Sequence, residues 1–156
     1  DGVDSNIGDG FCRNVTVAPG EVCTLRAAIQ EANSTLDSDT INLPAGRYRL
    51  TIENPLDNAE DAAATGDLDI NTNIVIEGAG ADVTIIEAKD DLHDRVFHLL
   101  GDFAVVALNR LTVRNGNTTE LAGGTRDGGA QHDHSDIARS HRLMFRCAGD
   151  ARKFNE

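Results

Sequence analysis

The sequence predicts an all-β chain wound as a solenoid, with a short capping α-helix near its start. Three observations carry that expectation. Short runs of Ile, Leu and Val recur between Gly, Asn and Asp corners from Ile41 to Val113. A strand–corner–strand unit recurs weakly: Asn73 to Gly78 followed by Thr84 to Glu87 resembles Ala104 to Leu108 followed by Leu111 to Arg114. One segment, after Cys23, carries a helical period instead. A β-sandwich is the alternative, but it needs hairpin signals, and the pair Asn115 and Gly116 is the one strong example.

The elements follow in order. Residues Asp1 to Gly20 are polar and glycine-rich and read as loop. Thr24 is an N-cap for a helix from Leu25 to Asn33, in which Leu25, Ala28, Ile29 and Ala32 fall on one face at i, i+3, i+4 and i+7. That face should cover the first coil, while Gln30 and Glu31 point away from it. Strands are expected at Ile41 to Leu43, Arg47 to Ile52, Leu68 to Ile70, Ile74 to Ile76, Val83 to Ile86, Val96 to Leu100, Val105 to Leu108 and Leu111 to Val113. A long acidic loop, Glu53 to Gly66, interrupts them, and Gly78 to Gly80 reads as a corner between sheets. Beyond Ala130 the chain is polar and basic and shows no strand period. The division is therefore 1–38 loop and capping helix, 39–130 coils, and 131–156 a divergent tail, either poorly ordered or folded back so that Met144, Phe145 and Phe154 cover the last coil.

Composition narrows the function. The net charge of −12 opposes binding to nucleic acid and to anionic membranes. No apolar run approaches the ~20 residues of a membrane span, so no membrane insertion is expected. Carboxylates permit divalent cations, although a solvated acidic surface is the simpler explanation of them. Aromatic residues are 4% of the chain and Trp is absent, which argues mildly against sugar stacking. Cys12 and Cys23 sit close together, as a short disulfide loop or as two free thiols, with Cys147 far away and unpaired in the first case. The chain opens at Asp1 within a polar loop, as a processed product would.

Several ordered segments resemble one family. CTLRAAIQEAN, from Cys23 to Asn33, is similar to the CSLREA-type motif that opens many bacterial secreted parallel β-helix proteins. DGFC at Asp9 to Cys12 resembles that family's first cysteine region. The stretches Asp39 to Ile52, Ala64 to Ile86, Asp94 to Gly101 and Leu111 to Gly116 resemble its coils. The resemblance implies a right-handed parallel β-helix, a signal peptide upstream, further coils downstream and a Cys12–Cys23 disulfide. It also implies a secreted, extracellular or cell-surface location, and a non-catalytic adhesion or binding scaffold. The alternative is a fragment of a polysaccharide lyase or glycoside hydrolase of the same fold. The expected partner is a polysaccharide or other cell-surface ligand, with end-to-end self-association through uncovered coil ends.

No residue is assigned to catalysis, and no cofactor is expected. Asp57, Glu60, Asp61, Asp67 and Asp69 form an acidic cluster; Asp67 and Asp69 flank Leu68 and would share a strand face, as paired carboxylates for sugar chemistry do, or as turn residues bonding backbone N–H groups do. Asp1, Asp4 and Asp9, with Asn6, are weak Ca²⁺ candidates without EF-hand spacing. His93, Asp94, Arg95 and His98 invite an acid–base reading but lack a nucleophile, so orienting a coil is the expected role. His132 and His134 are a weak metal pair.

Overall fold

The computed structural model describes residues 1–14, 22–54, 60–92, 94–100 and 104–116, with the backbone strand Leu143–Arg146. It contains one short helix, α1 (Leu25–Asn33), and nine strands: β1 (Asp39–Leu43), β2 (Gly46–Leu50), β3 (Leu68–Ile70), β4 (Ile74–Gly78), β5 (Thr84–Ala88), β6 (Phe97–Leu99), β7 (Val105–Asn109), β8 (Thr112–Arg114) and β9 (Leu143–Arg146).

Consecutive strands enter different sheets in turn. β1, β4 and β7 lie side by side, as do β2, β5 and β8, and as do β3 and β6; every one of these pairings is parallel. Parallel neighbours need a long crossover, and here each crossover consists of the strands of the other two sheets. The period-2 alternation explains the stacking. Ile41, Ile76 and Leu108 occupy one ladder position, and Tyr48, Ile86 and Val113 another. Leu68 pairs with Phe97, and Ile70 with Leu99. Ile74, Ile76, Ile86, Leu68 and Ile70 are fully buried and form the centre of a single aliphatic core. Like side chains stacked at about 4.8 Å per rung fill a column without gaps.

All eight expected strands are present, seven with shifted ends and Leu68–Ile70 as expected. The second stops at Leu50 rather than Ile52, because the Thr51 and Ile52 amides donate to Asp1 Oδ2 at 2.7 and 3.1 Å instead of to a sheet. The corner after β4 is tight: a Cβ on Gly78 would collide with the Arg110 carbonyl oxygen, so only glycine lets these two turns approach. The tail was expected to lack a strand period, yet Leu143–Arg146 forms a strand. It runs antiparallel to β7, pairing Val105 with Arg146 and Leu108 with Leu143. Antiparallel addition of a short strand needs backbone groups alone, which explains why no apolar alternation announced it. Cys147, Phe154 and the side chains of Met144 and Phe145 lie outside the described residues.

Helix α1 touches β1 and β3, two strands of the first rung. Thr24 is its N-cap: the Thr24 side chain accepts from Ala27 N at 3.1 Å. Leu25, Ile29 and Ala32 are buried as expected. Two expectations need correction. Ala28 is only half-buried, and Ala27 takes the fully buried place. Gln30 and Glu31 do not point to solvent; both are buried, because the N-terminal loop wraps the side of the helix that the coils leave free. Glu31 there accepts the Gly8 and Gly10 amides at 2.6 and 2.5 Å, in a turn whose two glycines have φ of 88° and 83°. Cys12 and Cys23 are disulfide-bonded with Cα atoms 5.1 Å apart, which closes that loop onto the start of α1. Among the described residues no helix is long and apolar enough to cross a membrane.

Candidate functional site

The acidic loop returns to the coil through Ala63 to Asp67, and its geometry is set by α1. Arg26, Gln30 and Asn33 stand at i, i+4 and i+7, one face of the helix beside the apolar stripe. Arg26 is completely buried. Its Nη1 donates to the Ala63 and Asp67 carbonyls at 3.0 Å each, its Nη2 to the Gly66 carbonyl at 2.7 Å, and its Nε to Asp1 Oδ1 at 2.9 Å. Burial pushes the Arg26 pKa down, opposed by the charges of Glu60, Asp67, Asp69 and Asp94. Gln30 donates to the Ala62 and Ala63 carbonyls, and Asn33 to the Asp69 carbonyl at 2.8 Å. Arg26 and Gln30 thus supply donors to buried carbonyls of the loop, and Asn33 one to a carbonyl of β3, as buried backbone oxygens require. Sequence reading missed all three residues; their i, i+4, i+7 spacing was the available signal.

This scaffold places the charged residues. Leu68 enters the core, while Asp67 and Asp69 on either side are 4% and 0% exposed. Each faces a partner on the next rung. Arg95 Nε donates to Asp67 Oδ2 at 2.8 Å, and His98 Nδ1 lies 2.9 Å from Asp69 Oδ1. Asp69 and His98 are register partners of β3 and β6. Asp69 Oδ2 also accepts the Ala63 amide at 2.9 Å. Asp94, buried as well, accepts the Arg95 amide at 2.8 Å. Asp94 sits so close to Gly66 that a Cβ there would strike its carboxylate.

The expected acidic cluster is therefore brought together in part. Asp61, Asp67 and Asp69 share the site, with Asp61 on its solvent rim, 3.9 Å from His98 Nδ1. Glu60 is instead the loop's internal organiser. It accepts the Ala62, Ala64 and Thr65 amides at 3.0, 3.0 and 2.7 Å. Burial raises its pKa, but these amide bonds outweigh burial and hold the carboxyl below its ordinary value. Asp57 and His93 lie outside the described residues, as do His132 and His134. Asp67 is pushed up to about 7, first by burial, then by Asp94, with Arg95 pulling the other way. A carboxyl in that range is partly protonated near neutrality, which acid catalysis can use.

The Ca²⁺ candidates do not converge. Asp1 serves Arg26 and the Thr51 and Ile52 amides; Asp4 accepts the Asn6 and Arg13 amides at 2.8 Å each; Asp9 pairs with Arg13 at 2.6 Å. Their oxygens bond neighbouring backbone and side chains, so they act as turn and anchor groups rather than as one coordination shell. Comparison of the chain with family models, curated proteins and solved structures returns no match.

Proposed function

We propose that this chain is the N-terminal part of a secreted or cell-surface right-handed parallel β-helix protein, working as a non-catalytic adhesion or binding scaffold. The observation that carries the reading is the three-fold cycle of strands, with parallel, in-register pairing at every return. Continued winding of that kind makes a solenoid with long flat faces, which suit an extended ligand. Right-handedness follows from the strong preference of parallel crossovers. Helix α1 lies against the first rung as a cap does, and the Cys12–Cys23 disulfide agrees with an oxidising compartment. The charged cluster fits a scaffold because Asp67, Asp69 and Asp94 are already bonded to Arg95, His98 and backbone amides.

A second reading, a polysaccharide lyase or glycoside hydrolase fragment, draws on one observation: Asp67, buried near Asp94 and bonded to Arg95, is pushed up to about 7. One experiment separates the two. The chain is incubated with a panel of acidic and neutral polysaccharides, with and without Ca²⁺, and bound material and newly formed chain ends are both measured. Binding without new chain ends is the expected result. Release of reducing or unsaturated ends that Asp67→Asn abolishes would establish the enzymatic reading, and absence of binding across the panel would overturn the scaffold reading.

A further inference from the structure

Asp61, Asp69 and His98 each offer a ligand atom, and these atoms all lie within 4.8 Å of one another. No other trio of His, Cys, Asp or Glu among the described residues does so. Two of the three are fixed by the backbone, since Asp69 and His98 are register partners on adjacent parallel strands. We infer that Asp61, Asp69 and His98 bind a divalent transition-metal ion of the Zn²⁺ type.

The donor set selects the metal class. An imidazole nitrogen with two carboxylate oxygens suits Zn²⁺, Co²⁺ or Ni²⁺, whereas Ca²⁺ wants six or more oxygens. Tetrahedral bonds of about 2.0–2.2 Å put ligand atoms about 3.3–3.6 Å apart. Asp69 Oδ1 and His98 Nδ1 stand at 2.9 Å, Asp61 Oδ1 and His98 Nδ1 at 3.9 Å, and the two carboxylate ligand atoms within 4.8 Å, so side-chain rotation, chiefly of Asp61, is what brings the three to that spacing. Asp61 has the freedom to make its share, because its side chain is 60% exposed. Ligation uses the Nδ1 lone pair of His98, with the ring proton on Nε2.

Two further features fit a cation. Asp69 is fully buried, and its second oxygen is held by the Ala63 amide at 2.9 Å, the outer-shell bond that orients a metal-bound carboxylate. Two buried carboxylates, Asp69 and Asp94, also gather here, beside the Arg95–Asp67 ion pair. The nearby guanidinium of Arg26 is directed to carbonyl oxygens and Asp1. A divalent ion offsets that concentration of negative charge. The exposed rim at Asp61 leaves one side open to water, so the fourth position is a solvent site.

The full chain, stripped by a chelator, is titrated with Zn²⁺ by calorimetry and with Co²⁺ by visible absorption. The expected result is one ion per chain. Affinity falls about tenfold or more in both Asp61→Asn and His98→Gln, and His132→Ala/His134→Ala leaves it unchanged. Asp61 is exposed, so Asp61→Asn keeps the test valid even if His98→Gln disturbs β6. Failure to bind either ion, binding untouched by Asp61→Asn, or a preference for Ca²⁺ over Zn²⁺ overturns the assignment.

Discussion

Arg26 spends its guanidinium on three backbone carbonyls and one carboxylate, all out of contact with water. Removing it strands those oxygens and leaves Asp1 without its ion pair. Arg26→Met should therefore cost about 3–5 kcal/mol in a urea unfolding titration. A cost below about 1 kcal/mol, the ordinary range of surface changes, would mean that the loop is held some other way. A charged side chain on a short amphipathic helix normally marks its solvent face. It could not be known that an acidic loop 40 positions later would lay its carbonyls against that face. The same limit explains Glu31, whose partners are amides of a loop with no regular structure. The pairing of Asp69 with His98 was hidden for a different reason: it depends on strand register, which a list of strands does not fix.

At the scale of elements, strands were legible and the helix surfaces were not. Period-2 apolar runs ended by Gly, Asn and Asp survive in the structure because each strand buries one face in the core. The helix was read as having one buried face, yet it is packed between the first rung and a disulfide-closed loop, so Ala27, Gln30 and Glu31 are covered too. The apolar stripe still dominates its energetics. Ile29→Ala should lower stability by about 2–5 kcal/mol, while Ala28→Ser, at the half-buried position, should stay within about 0.5 kcal/mol. Equal costs at the two positions would show that the helix is rotated from the orientation described. Strand β9 was not legible, since its place depends on the free backbone edge of β7 rather than on its own apolar pattern.

For the molecule as a whole, the disulfide and the helix act together on the first rung. Reducing Cys12–Cys23, a loop with a sequence separation of 11, should cost about 2–3 kcal/mol through the freedom regained by the unfolded chain. Amide exchange should then quicken first in α1 and in the loop around Gly8 and Gly10, ahead of β4 and β5. Uniform acceleration across all strands would contradict a local role for the bond. Successive strands of each parallel sheet stack in register, and methyl–methyl nuclear Overhauser contacts test that stacking most directly. Ile76 should show contacts to both Ile41 and Leu108, its register partners on either side. Ile41 and Leu108, two rungs or about 9.6 Å apart, should show none. A direct Ile41–Leu108 contact, or the absence of both Ile76 contacts, would mean that the turns do not stack as described.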